Sequence, residues 1–513
     1  MKKFSLSLII IAILAMLNAS ALFAQQELKI SYTLSMLPSK AGKFHVELFC
    51  EGIKGELQDF KMPAISPGYY RVLDFARNVE NFNADDGKGN LLTWEKTTAN
   101  TWRVVTHSTP LVRIRYDVKS ELDSVATAFI DEKRAYVSSP AVFMYPDGQI
   151  NHSLTLTLIV PPQFQKISTG LEPVENKPNT YYASCFDIFY DCPLYLGNQE
   201  VISFEVKGIP HFVAMESPGT WDRQQLQINL KKAIEAATEL MGDIPYKHYT
   251  FIFMGDGKGG LEHGNSTAEF LDVSGKENPG TDKRTLKFLI HEYFHLYNVK
   301  SIRPIALGPF DYDGENNTRM LWFSEGGTVY YEYLILNRAG FFTREECLED
   351  FASIIADNEN NPAHRTQSVA EASMKAWTQS FFGNKKEVSY YDKGLTLSIL
   401  LDLRIRHESK NKKSLDDAMR IFYTRFYKEQ SRGFTDKEFQ QVCEELAGVS
   451  LSDFFSYIGS TEELDYGRYL GYAGLSLTSG STRDKKGKKH FRITPLPNPD
   501  SLQQEILSSW LKE

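Results

Sequence analysis

Residues 286–300 read LKFLIHEYFHLYNVK. A helix turns 100° per residue, so His291 and His295, four apart, lie on one face one turn apart. Two imidazole nitrogens placed in that way reach a single ion at about 2.0–2.1 Å. Glu292, beside the first of them, is placed to take a proton from an attacking water. Leu286, Leu289 and Ile290 make this helix apolar and buried, where an unpaired imidazole or carboxylate is costly. The alternative, two histidines that only cap a core face, fits that setting less well.

Reading outwards, a catalytic zinc takes three protein ligands and keeps one position open. Glu325, in Leu321-Trp-Phe-Ser-Glu325-Gly-Gly-Thr-Val-Tyr330, stands on an apolar, aromatic-flanked helix with no basic residue near it in sequence. It is the expected third ligand, and the expected cofactor is one zinc ion. Gly259-Gly260-Leu-Glu262-His263 follows the strand-like Tyr249–Met254. The two glycines let a substrate backbone approach a strand edge, and Glu262 is suited to a free α-ammonium. Glu387-Val-Ser-Tyr390-Tyr391-Asp-Lys-Gly394 opens another helix, and a phenol there suits a developing oxyanion. Taken alone, the spacing leaves Tyr390 and Tyr391 both open. An ordinary turn at Glu262 and a packed tyrosine pair at 390–391 are the bland readings.

The chain around these segments reads as α+β and multidomain, as its 513 residues allow. From 25 to 205 the pattern is β: Leu28, Ile30, Tyr32, Leu34 and Met36 alternate with polar neighbours, as do Val112–Val118 and Leu154–Val160. Ser66-Pro67-Gly68, Asp85-Asp-Gly87 and Pro146-Asp-Gly148 are turn signals between such runs. An N-terminal antiparallel sandwich or saddle is expected. Residues 206–464 carry the metal segments. Within them Trp221–Met241 has helical periodicity ending at Gly242, and almost everything from Trp322 to Gly459 reads as helix. That is the layout of a two-lobed metallopeptidase. A short tail, 465–513, adds strand-like segments and a final helix, Ser501–Leu511, with a solvated hairpin tip at Arg483–Lys489.

Residues 1–24 join Lys2 and Lys3 to an apolar run, Phe4–Leu17, and then to small residues around Ala21 and Ala24. This is the pattern of a signal peptide, and the run is shorter than a bilayer span. Export to the periplasm or medium is expected, with no stable membrane insertion after cleavage. A net charge of −8 with scattered basic residues offers nucleic acid no electrostatic footprint. The five cysteines lack the spacing of a thiolate metal site. Whether Cys185 and Cys192 pair is left open, as is the oligomeric state.

In this order the four segments resemble the glycyl aminopeptidase family of zinc peptidases, a relative of the aminopeptidase N type among the gluzincins. The resemblance rests on His291-Glu-Tyr-Phe-His295 followed by Asn298-Val-Lys-Ser-Ile-Arg-Pro304, on Trp322-Phe-Ser-Glu325-Gly, on Gly259-Gly-Leu-Glu262-His263 and on Tyr391-Asp-Lys-Gly394. Pro63-Ala-Ile-Ser-Pro-Gly68-Tyr-Tyr-Arg71 and Asp74–Val79 are similar to the family's N-terminal signature. Tyr297 and Ser301 depart from the usual Trp and Arg, both outside the ligand set. The resemblance implies a thermolysin-like catalytic domain, with His291, His295 and Glu325 on zinc and Glu292 as general base. It further implies Glu262 on the substrate amine, Tyr391 rather than Tyr390 at the transition state, and peptide substrates starting with Gly or Ala. Members often end in a PDZ domain, for which the tail is too short. A thermolysin-type endopeptidase and a non-cutting peptide binder are the rival readings.

Overall fold

The computed structural model describes residues 28–513 except 38–41, 122–123, 256, 258, 272–277, 279, 381–382, 385 and 480–487. The expected signal segment and most of the expected hairpin tip at 483–489 therefore lie outside the described residues. Among the described residues no helix is long and apolar enough to cross a membrane.

A seven-stranded sheet dominates the N-terminal region. In spatial order its strands are Glu172–Pro173, Thr180–Ala183, Leu154–Ile159, Lys29–Leu37, Lys43–Glu51, Leu111–Lys119 and Val79–Asp85. Alternation does what period-two patterning dictates: Phe44, Val46, Leu48 and Cys50 are buried, and so are Val112, Ile114, Tyr116 and Val118 opposite them. The expectation of an antiparallel domain needs one correction. Lys29–Leu37 pairs in parallel with Leu154–Ile159, Ile30 opposite Leu154. More than a hundred residues of other strands connect the two, which satisfies the long crossover that parallel pairing needs; alternation carries no sign of strand direction. Two four-stranded sheets complete the region. One of them packs Trp102 on Phe82 of the large sheet, rings stacked at 5.5 Å. Cys185 and Cys192 are free thiols; Cys185 starts the short helix Phe186–Tyr190, and Cys192 is buried.

The chain then builds a five-stranded sheet in the order Glu200–Val206, Ile209–Met215, Tyr249–Met254, Ser266–Phe270, Gly260–Glu262. Tyr249–Met254 is buried along its whole length, as a central strand with parallel neighbours on both sides should be. Among the described residues Gly260–Glu262 lies at the sheet's edge, paired antiparallel with Ser266–Phe270 on one side only. Helix Arg223–Met241 ends at Gly242 in the left-handed conformation, with φ 80°, as its glycine predicts.

The remainder is mostly helical: Gly326–Arg338, Arg344–Asn360, Tyr390–Glu408 and Asp436–Ala447 are its longer members. Two glycines decide how closely the first and third of these approach. A Cβ on Gly326 would overlap the backbone of Gly394, and one on Gly394 would overlap the carbonyl of Trp322. The tail forms a two-stranded ladder, Leu475–Ser479 with Phe491–Pro495, and a helix Ser501–Trp510. Trp510 donates its indole N–H to Tyr330 OH at 2.9 Å, and Tyr330 in turn donates to Asp402 at 2.6 Å.

Candidate metal centre

Helix Lys283–Phe294 begins under the Asp282 side chain, which accepts from the backbone N–H of Arg284 and Thr285. It packs on the edge of the five-stranded sheet and carries His291 and Glu292 in its last turn. After His295 the helix widens over Leu296–Ser301, and Asn298 leaves helical geometry with φ −117° and ψ 80°. That departure turns the Asn298 carbonyl back to His295 Nδ1, at 2.7 Å. Thr328 holds the same carbonyl with its hydroxyl at 2.8 Å, and the Asn298 amide donates to the Phe323 carbonyl.

His291, His295 and Glu325 converge, all three buried. The two Nε2 atoms are 3.0 Å apart, and Glu325 Oε2 lies 3.4 Å from His295 Nε2 and 3.8 Å from His291 Nε2. A tetrahedral site with bonds of about 2.05 Å has ligand-to-ligand edges of about 3.3 Å, so this triangle fits one zinc ion. The far sides of the rings agree. His291 Nδ1 faces Glu332 Oε2 at 3.0 Å and His295 Nδ1 faces a carbonyl, so each Nδ1–H has an acceptor and a metal ion would take the Nε2 lone pairs. Burial opposes charge on Glu325, but the two imidazoles hold its carboxyl well below the usual range.

Glu292 is buried against Gly260, where a Cβ would stand 2.7 Å from its Oε1. Burial pushes the Glu292 carboxyl up to about 7, against the pull of His291 and His295. Donor atoms of Glu262, Glu292 and His295 also lie within 4.8 Å of one another, so Glu292 stands between the triad and the edge strand. Glu262 is buried with its Oε1 making no hydrogen bond. Gly259, at φ 91°, faces open space. On the other side, the ring of Tyr391 is tilted 32° to His291 with centroids 6.2 Å apart, and Tyr390 stacks beside it at 5.0 Å.

Several contributors carried no role in the sequence reading. Lys300 Nζ lies 3.6 Å from Glu262 Oε1 and 2.9 Å from Asp191 Oδ1, while Asp191 also faces His263 Nδ1 at 3.3 Å. Two carboxylates against one ammonium leave a negative balance at that end of the site. Glu332 follows Glu325 by two helical turns, a spacing that could have flagged it. Asp191 and Tyr70 come from the β region; Tyr70 lies within the Pro63–Arg71 signature, which gave it no role, and Asp191 had no signal. Tyr70 OH donates to Glu325 Oε1 at 2.6 Å.

With this geometry in hand, comparison with known proteins gives two family matches. Residues 31–198 match the N-terminal domain of peptidase M61, and residues 284–397 match the M61 glycyl aminopeptidase. Together they span more than half of the chain. Among solved structures, an aminopeptidase N family protein from Idiomarina loihiensis is 26% identical with a TM-score of 0.81, over 89% of this chain and 80% of that one. An M1 zinc metallopeptidase from Deinococcus radiodurans shares the fold at 13% identity and a TM-score of 0.53, over 86% and 96% of the two chains. Legionella pneumophila aminopeptidase A, solved with aspartic acid, gives 15% and 0.53 over 92% of this chain and 53% of that one. No curated protein matches the chain.

Proposed function

Because the chain belongs to the M61 glycyl aminopeptidase family and is a zinc metallopeptidase, we propose that it removes the first residue of short peptides, preferring Gly or Ala, outside the cytoplasm. The observation that carries the exopeptidase part is Glu262. It is a buried carboxylate on an edge strand, one oxygen makes no hydrogen bond, and it lies within one side chain's reach of Glu292.

A zinc ion held by His291, His295 and Glu325 would supply Lewis acidity and lower the pKa of the attacking water towards 7. The chain's own groups do the rest. The free edge of Gly260–Glu262 offers backbone hydrogen bonds to an extended peptide. Glu262 receives the α-ammonium, whose positive charge meets the negative balance left by Asp191 and Glu262 against Lys300. That fixes the first peptide bond beside Glu292. Glu292 takes a proton from water as it attacks and returns it to the leaving amine. Tyr391 donates its phenolic proton as a hydrogen bond to the oxyanion. Family membership supports the preference for small N-terminal side chains. The expected site of action rests on residues 1–24.

Glu262 also separates this reading from an endopeptidase. The test compares a free-amine peptide with its N-acetylated form. The wild type should prefer the free amine, and Glu262→Ala should lose about 10²-fold or more on it, as for a desolvated charge pair of roughly 3 kcal/mol, with little change on the acetylated form. Equal losses on both would remove Glu262 from amine binding, and preference for the blocked peptide would favour the endopeptidase.

A further inference from the structure

The β region reaches into the metal site through one turn. Ser66, Pro67, Gly68 and Tyr69 close a turn by Tyr69 N–H to Ser66 O at 3.1 Å, with Gly68 at φ 87°. Proline second and a positive-φ glycine third are the marks of a type II turn. This geometry drives the next residue, Tyr70, inwards: it has φ 46°, an unusual conformation for a bulky side chain, and is buried. The loop is pinned to the helical lobe beyond it. Arg71 donates to the carbonyls of Ala376 and Gln379, and the Tyr70 ring meets Trp377 edge-on at 6.2 Å.

At the end of this arrangement Tyr70 OH donates to Glu325 Oε1 at 2.6 Å, while Glu325 Oε2 is the oxygen turned to both imidazoles. A carboxylate on a buried helix start can rotate about its last bond. The phenol removes that freedom and satisfies the oxygen that does not face the imidazoles. We propose that Tyr70 is a positioning residue for Glu325, so that the β region completes a metal centre whose three ligands all lie in the catalytic segment. The proposal rests on the zinc reading of the triad. A left-handed tyrosine whose own ring and hydroxyl, together with the next residue, Arg71, contact another lobe is backbone strain that the surrounding structure maintains beside the metal centre.

The test uses the full chain and Tyr70→Phe, which keeps the ring and removes only the hydroxyl. Zinc affinity is measured by competition with a chromophoric chelator, and thermal stability is measured on the zinc-free protein. We expect zinc affinity to fall about 10–100-fold, the usual effect of losing such a partner, with the zinc-free melting temperature falling by less than that loss would account for. The visible bands of the cobalt-substituted protein should shift as the carboxylate reorients. Unchanged affinity and cobalt spectrum would overturn the role of Tyr70 while leaving the zinc reading intact. A fall in affinity matched by a fall in zinc-free stability would reduce Tyr70 to a packing residue, which also overturns the proposal. A wild type that takes up no zinc would overturn the zinc reading itself.

Discussion

Glu292 shows how much a single side chain's surroundings decide. Its place beside His291 makes it the candidate base, but the sequence does not say how readily it holds a proton. The structure encloses it against Gly260 and pushes its carboxyl up to about 7 by burial, where a general base is effective near neutral pH. A cation bound by the triad favours the ionised form. The base must be ionised to act, so kcat/KM should rise with pH along an acid limb placed at or below about 7. Glu292→Gln should keep its zinc, measured by metal analysis, and lose about 10²–10⁴-fold in kcat. Substantial residual turnover would assign the proton transfer elsewhere. The candidate ligands His291 and His295 and the candidate base Glu292 were legible because they obey a helical spacing, and Glu325 because a carboxylate stands among apolar and aromatic neighbours. The surroundings of Glu262 were not: Lys300, 38 positions away, faces it and also pairs with Asp191, 71 positions from Glu262, and only folding brings the three together.

Among elements, the crossing of helices Gly326–Arg338 and Tyr390–Glu408 matters most. Gly394 lies one turn beyond Tyr391, and Gly326 follows the candidate ligand Glu325, so close contact of the two glycines brings the phenol and the carboxylate into one site. Gly394→Ala would press a Cβ into the Trp322 carbonyl. We expect it to lower stability by about 3 kcal/mol, typical of overpacking, and to weaken zinc binding as Glu325 is displaced. A variant with wild-type melting temperature and zinc affinity would show that the helices separate freely. The sequence displayed both glycines inside their motifs, but their reason is a contact between segments some seventy residues apart. Strand direction was similarly hidden, since the buried faces of Lys29–Leu37 look the same whether Leu154–Ile159 runs with it or against it.

For the molecule as a whole, the metal helix is held to the five-stranded sheet by a buried polar chain. His211 Nε2 faces Tyr246 OH at 2.8 Å, and Tyr246 OH faces Tyr293 OH at 2.8 Å on the metal helix. Burial pushes the His211 imidazole down to about 4. The unfolded chain, with an ordinary value of about 6.5, binds the proton first as pH falls. Folding stability at His211 is therefore intact above pH about 6.5, declines between there and 4, and is level below; the full loss is about 3 kcal/mol. His211→Phe should flatten the denaturant-measured stability profile in that window, and an unchanged slope would show that His211 does not carry the acid sensitivity. The sequence alone determined the α+β reading, because helical and strand periodicities act over a few residues; the motifs around His291, Glu292, His295 and Glu325 carried the expectation of one metal centre and the family resemblance. The tertiary structure alone decided which end of the site is negative, which oxygen of Glu325 faces the imidazoles and that Tyr70 holds the other. Those depend on contacts between residues up to 255 positions apart, and no local pattern encodes a contact of that range.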